Sequence, residues 1–301
     1  MADSNVPPRP GLGFLLLLVL GTNWGLGFSL AKFGHLGGVP PLGYVFWQGA
    51  GSGVVLLTLC LLRGRLPVIS AQHLRYYLLM GALGIALPAV NLVVVVGHIP
   101  VGVMTLVMTM APLMTYGIAQ LAGSDRFDLR RTAGMIIGLA GALLIVLPEA
   151  SLPSPDMVPW VLLGIVTPAL YAATNVYAGM RRPHDVDSLA LAAAMQLSAG
   201  LAVAPFTLLS GSFHLPVAFT AADIAILCHI GVASLGSLLF FELIRMAGPV
   251  FMSQVAYVVT ITGILWGMYF FDERHSPWIW ASLVVILAGV ALVTRSRRVV
   301  A

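Results

Sequence analysis

Charge is the scarcest property of this sequence. Lys and Arg number 15 and Asp and Glu 11, together 9% of 301 residues, whereas 59% are apolar and the mean hydropathy is +0.98. Soluble domains carry about 25% charged residues, so that class is excluded. Cysteine is nearly absent as well. Cys60 and Cys228 sit in apolar runs without a CxxC spacing or a nearby His, and read as small buried hydrophobes rather than as a disulfide or a metal site. Also missing are a GxGxxG cradle, a His/Asp/Glu metal cluster, paired carboxylates inside an apolar run, and a credible spacing of nucleophile and base. No catalytic residue, metal or cofactor is therefore expected. A formal net charge of +4 would suggest nucleic acid in a soluble chain; here it reads as a topology signal, with no nucleic-acid partner.

Long apolar runs stand where charge is missing. Ten stretches of roughly 17 to 25 residues can cross a hydrocarbon core of about 30 Å as helices, which satisfy their own backbone hydrogen bonds. They fall near Gly11–Ala31, Pro41–Leu62, Tyr76–Gly97, Val101–Ala122, Thr132–Pro148, Val158–Met180, Ser188–Ser210, Ile224–Met246, Val250–Phe271 and Trp278–Thr294. Met1 to Pro10 carries only Arg9, and no small-x-small cleavage site follows the first run, so this run reads as a span and not as a cleaved leader. The expected fold is all-α and integral to a lipid bilayer.

Basic residues orient the runs. With both termini cytoplasmic, Arg9, Arg63, Arg65, Arg75, Arg126, Arg130, Arg131, Arg181, Arg182, Arg245, Arg295, Arg297 and Arg298 fall on the inner side, and only Lys32 and Arg274 fall outside. That division, 13 against 2 of the 15, is what the positive-inside rule predicts for a multi-pass protein of the cytoplasmic (inner) membrane. An error of one span in the middle would scramble it.

One pattern is written twice. "GSDRFDLRRTAGMIIGLAGALLIV", from Gly123, resembles "FFDERHSPWIWASLVVILAGVALV", from Phe270. A shift of 148 residues pairs Asp125 with Glu273, Arg126 with Arg274, Ala133 with Ala281, Gly141 with Gly289 and Leu144 with Leu292. Asp128 and Ser276 coincide as candidate N-caps, and Pro277 suits the first helical position. An offset of 147 matches Trp24-Gly25 to Tyr171-Ala172. The chain thus divides into a tail (1–10), a first five-span repeat (11–148), a second (157–294) and a basic tail (295–301). Five is odd, so the second half enters the bilayer from the opposite side. Such inverted-topology repeats are typical of transporters, whose sites lie between the repeats near the midplane.

The stretches "GTNWGLGFSLAKFG", "RMAGPVFMSQVAYVV" and "DERHSPWIWASLVVILAGVALV" resemble the drug/metabolite transporter (DMT) superfamily, EamA-type branch, and the likeness runs over nearly all of the chain. The resemblance implies ten transmembrane helices as two inverted-topology five-helix repeats, with a central cavity formed mainly by spans 1, 3, 4, 6, 8 and 9. It also implies movement of small organic metabolites, often amino acids or related compounds, and frequently their export. The first repeat departs from the pattern in having Asp125 where Glu is usual, with Gly123-Ser124 before it. A secondary transporter working by alternating access is the expectation, as monomer or homodimer. An intramembrane enzyme, or a non-transporting sensor or scaffold, is the alternative, and the loops are too short for a signalling domain.

Polar residues inside the spans are the candidates for substrate contact. In span 4, Thr105, Thr109, Pro112, Tyr116 and Gln120 share one helical face, and in span 9 Ser253, Tyr257 and Thr260 align with Thr105, Thr109 and Pro112. Hydroxyls on such faces serve either a pocket or helix packing. Pro112 removes a backbone donor and should loosen span 4 at mid-depth. Trp24 and Phe28 in span 1 align with Tyr171 and Asn175 in span 6, which would give aromatic walls with polar groups to orient a ligand. Asn91 in span 3 stands alone among apolar neighbours, as a substrate contact or an interhelical amide bond. For gating or coupling the candidates are Lys32, expected to snorkel to the outer interface, His229, and the pair Glu242 and Arg245, three apart in span 8. No carboxylate occupies the middle of a span, which favours zwitterionic or neutral metabolites over cations. Gly21 and Gly25, Gly49 and Gly53, Gly134 and Gly138, and Gly263 and Gly267 each fit GxxxG, which predicts close helix seams.

Overall fold

The computed structural model describes residues 10–123, 127–146, 152–183, 185–252 and 255–295, and every extended regular element among them is helical. In chain order these are α1 (Pro10–Leu36), α2 (Pro41–Leu62), α3 (Ala71–Gly81), a π-helical turn (Ala82–Ala86), α4 (Leu87–Val96), α5 (Val101–Met108), α6 (Ala111–Leu121), α7 (Leu129–Val146), a 3₁₀ turn (Pro155–Met157), α8 (Val158–Gly164), α9 (Val166–Arg181), α10 (Ser188–Leu209), α11 (Ala221–Met252), α12 (Val255–Phe271) and α13 (Pro277–Arg295). Seven stretches among the described residues are long and apolar enough to cross a membrane, the seventh being Ala221–Phe240. Val255–Phe271 and Pro277–Leu292 are shorter apolar helices.

Local chemistry explains several boundaries. Asp128 caps α7, its Oδ1 accepting the Arg131 N–H at 2.9 Å, and α13 opens on Pro277, as the sequence leads one to expect. The third helical rod begins at Ala71 rather than Tyr76, because Ser70 accepts the His73 N–H. A break expected near Gly248-Pro249 does not form, and α11 stays helical to Met252. Within a bilayer an interrupted helix exposes backbone groups to lipid, which favours carrying a proline inside the helix over stopping at it.

Glycine seams join the halves of the chain to each other. Gly21 and Gly25 of α1 leave room for Val258 and Thr262 of α12, and Gly263 of α12 faces Thr105 of α5. A Cβ at Gly49 would lie 2.8 Å from the Gly200 nitrogen, so α2 and α10 touch backbone to backbone. Gly289 of α13 sits against the backbone of Gly134 and Gly138 in α7, and Ser282 donates to the Gly141 carbonyl at 2.7 Å. The most extensive packing is α2 on α10, α7 on α13, and α1 on both α11 and α12. Each of these pairs joins a helix before residue 147 to one after residue 157.

Candidate functional site

Proline shapes three rods in the interior. Pro112 has no N–H to offer the Met108 carbonyl, and the fourth rod breaks at Thr109-Met110, between α5 and α6. Pro168 leaves the Gly164 carbonyl in the same state beside the α8/α9 break at Ile165, and Pro88 follows the π turn at Ala82–Ala86. Freed carbonyls at depth are tolerated where protein or a water-filled cavity meets them.

Around these breaks the helices form two groups. α9 packs on α4, α6 and, more lightly, α8 and α5, while α11 packs on α1, α2 and α10 and α12 on α1 and α5. Between α6 or α9 on one side and α11 or α12 on the other, contact among the described residues is at most glancing. α1 and α4 bridge the groups.

One end of this space is tied shut. Lys32 Nζ donates to Glu273 Oε1 at 2.9 Å, with side chains 14% and 6% exposed, so Lys32 is an internal partner and does not snorkel to an interface. The Glu273 carboxylate also caps α5, accepting the Val101 N–H at 2.6 Å and the Gly102 N–H at 3.0 Å. Asp272 makes this reach possible. It ends α12 at φ 50°, a left-handed conformation that Asp tolerates better than most side chains, and so reverses the chain toward α5. Lys32 also lies over the Phe271 ring at 4.7 Å. His275 Nε2 sits 3.7 Å from Glu273 Oε2; burial holds the imidazole below its usual pKa, with Glu273 pulling it up and Lys32 pushing it down. Beside them His98 stacks on Trp160 at 3.5 Å and meets His35 edge-on at 5.4 Å. The repeat partner of Glu273, Asp125, lies outside the described residues.

The opposite end is held by surface contacts. Arg65 bonds Asp187 at 2.9 Å, His73 bonds Asp185 at 3.1 Å, and Tyr76 stacks on Tyr177. Partial burial pushes the Asp187 carboxyl up, but hydrogen bonds from the Leu189 N–H and Arg65 outweigh it and hold the group below the usual carboxylate range.

The sequence candidates separate into those with protein partners and those without. Asn91 donates to Thr167 Oγ1 at 2.8 Å and to the Leu163 carbonyl at 3.0 Å, tying α4 to α8 and α9. Thr105 and Thr109 are buried, their hydroxyls bonded to Gly102 and Leu106 one turn back, and Thr105 lies in the seam with Gly263. Tyr116 and Gln120 bond each other at the corner that starts α7. Phe28 is buried in the core. Tyr44 on α2 holds His229 of α11, Oη to Nδ1 at 2.8 Å. By contrast, the Trp24 indole N–H, the Tyr171 and Tyr257 hydroxyls and the Asn175 amide make no hydrogen bond among the described residues, and none of the four side chains is sealed from solvent. Trp24 stands on Gly236 and tilts against Phe240 with ring centroids 5.9 Å apart. Glu242 is half-buried; Ser253 and the Arg245 side chain lie outside the described residues.

Sequence reasoning missed Tyr44, Phe240 and a pair of glutamines. Gln48 of α2 and Gln196 of α10 stand exactly one 148-residue offset apart, and each keeps a buried Oε1 without a hydrogen bond. The repeat register could have revealed them.

The EamA-like transporter family matches residues 11–147 and again 158–295. The chain belongs to this family. As an EamA-like protein it is a membrane transporter of the DMT superfamily, and it matches as two segments of nearly equal length. A solved crystal structure resembles this EamA-like chain with a TM-score of 0.60 over 93% of its residues and 94% of the other's, at 18% identity, which establishes likeness of fold. Among curated proteins the chain has no match.

Proposed function

We propose that this protein is a secondary transporter that exports amino acids, or related zwitterionic and neutral metabolites, across the cytoplasmic membrane by alternating access. Ten spans form two inverted five-helix repeats, with both termini cytoplasmic and the Lys32–Glu273 end facing outward. The observation that carries the reading is the set of unpartnered polar groups on Trp24, Tyr171, Asn175 and Tyr257, spread over α1, α9 and α12. In an apolar bundle a polar group without a protein partner costs free energy unless water or a ligand meets it. These four supply donors and acceptors on aromatic walls, as a small zwitterion requires.

The Lys32–Glu273 clasp closes the outer end, and in this reading the solute enters from the inner end, between helices α9 and α11 that hardly touch. Export then consists of loading from inside, release of the clasp, and separation along the glycine seams. Substrate binding is assigned to Trp24, Tyr171, Asn175 and Tyr257, with Phe28, Asn91, Thr105 and Thr109 behind them as packing. The test is counterflow of radiolabelled amino acids into liposomes holding the purified, correctly oriented protein. If none of the twenty common amino acids or their simple derivatives exchanges, the reading fails.

A further inference from the structure

Most ionisable side chains in the bundle belong to its two ends. His229 does not. It lies eight residues beyond Ala221, the start of α11, which at about 1.5 Å per residue places it about 12 Å inward, near the midplane of a core of about 30 Å. Its ring is spent on one side only. Nδ1 is 2.8 Å from Tyr44 Oη, while Nε2 points at Gly27 of α1, where a Cβ would come within 3.2 Å. Among the described residues no protein group bonds Nε2, and His229 keeps 8% of its surface open. A histidine placed purely for packing would have both nitrogens satisfied or sealed.

The surroundings are built for a change of charge. Tyr44 is wholly buried, and one turn along the same face of α2 Gln48 keeps a buried Oε1 with no partner. When the ring is an imidazolium, Nδ1–H donates to Tyr44, whose own proton then needs an acceptor; Gln48 offers one on that face. Among the described residues few other titratable groups face it. Of the helices packed on α11, α10 contains no ionisable side chain, α2 has Tyr44 and the distant Cys60, and α1 has His35 and Lys32, the latter held by Glu273. On α11 itself the neighbours are Cys228 at the preceding position, Asp223 paired with His214, and Glu242 and Arg245 more than three turns away.

We propose that His229 is the proton-coupling site of this carrier, taking one proton at its free ring edge and returning it at the other face in each transport cycle, with Tyr44 positioning the ring. The inference rests on the carrier reading above. No covalent bond other than N–H changes, and the driving free energy is the proton gradient itself. A charge at mid-depth must be met by water or by a ligand carboxylate, so the proton and the solute bias the same two conformations.

The experiment compares two modes in proteoliposomes, using the twenty common amino acids as labelled probes: counterflow without a gradient, and accumulation driven by an imposed pH difference of either sign. The parent protein should show both. His229→Gln, which keeps an amide against Tyr44, should retain counterflow and lose gradient-driven accumulation by roughly tenfold or more. Tyr44→Phe should move the pH midpoint of driven transport downward, since it removes the acceptor of the imidazolium Nδ1–H. Unchanged driven accumulation in His229→Gln, or a parent that exchanges solute but ignores the gradient, overturns the assignment. A parent that exchanges none of the probes overturns the carrier reading, and the proton site with it. Should His229→Gln fail to fold, an unmoved midpoint in Tyr44→Phe decides against the proposal.

Discussion

Lys32 and Glu273 stand 241 residues apart in sequence and 2.9 Å apart in space, and the same carboxylate caps α5 through Val101 and Gly102. One acidic side chain thereby binds α1, α5 and the end of α12. A carboxylate that neutralises both an ammonium and a helix N-terminus is harder to replace than either partner alone.

Glu273→Ala should strand a largely buried ammonium and two helix N–H groups, at a cost of about 3 kcal/mol. Lys32→Met should cost less, because the α5 N-terminus still meets the carboxylate. Thermal unfolding in detergent of the two single variants and the double variant tests this. Strict additivity would show that the pair contributes nothing of its own.

Gly263→Val should push Thr105 away and spread α5 from α12. Overpacking of a close seam costs about 1 to 3 kcal/mol, so a clear drop in melting temperature is expected, with a smaller drop for Gly263→Ala. Melting temperatures unchanged by Val would mean the seam is loose.

Tyr257→Phe, Tyr171→Phe and Asn175→Ala should leave the melting temperature within error and lower transport efficiency roughly tenfold each, the equivalent of one lost hydrogen bond to ligand. Asn91→Ala should do the reverse. Its amide bonds only protein groups, so stability should fall by about 1 kcal/mol. Parallel melting and vesicle-transport measurements separate the two behaviours, and a stability loss in Tyr257→Phe would relocate the pocket.

The buried His275 gives a pH dependence of definite sign. Its pKa is lowered in the folded protein, mainly by burial, so the unfolded chain binds more protons near pH 6.5 and stability rises with pH there. This contribution is complete above the unfolded value of 6.5 and is lost as pH falls through the folded value. His275→Gln should flatten the melting temperature over that acid range. A parent protein more stable at mildly acidic pH than at neutral pH, through a difference that His275→Gln abolishes, would contradict the sign.

Much of the fold could be read from local chemistry. The Asp128 cap, the Pro277 helix start, the Pro112 break and the four glycine spacings each follow from neighbours a few residues apart. The site was less legible. A helical face tells which side of a rod is polar but not what covers it, and both a pocket and a tight seam use small hydroxyl residues. Thr105 sits in a seam and Thr109 is buried with its hydroxyl turned back on its own helix for that reason, while Tyr257, on the related face of α12, keeps its hydroxyl free of any bond among the described residues. The pairing of Lys32 with Glu273 was not legible, because nothing local announces a partner 241 residues away. Ser253 and Asp125, which would show how far the second copy of each feature agrees, lie outside the described residues.

The glycine seams have a consequence for biogenesis. Gly21, Gly25 and Gly49 lie on helices of the first repeat, yet the surfaces that cover them, on α10 and α12, belong to the second and are made later. The early helices must therefore wait in the membrane with their smooth faces open to lipid until the later helices arrive. A chain severed between the halves should still assemble when both fragments are made together in one cell, and either fragment made alone should meet the quality-control proteases first.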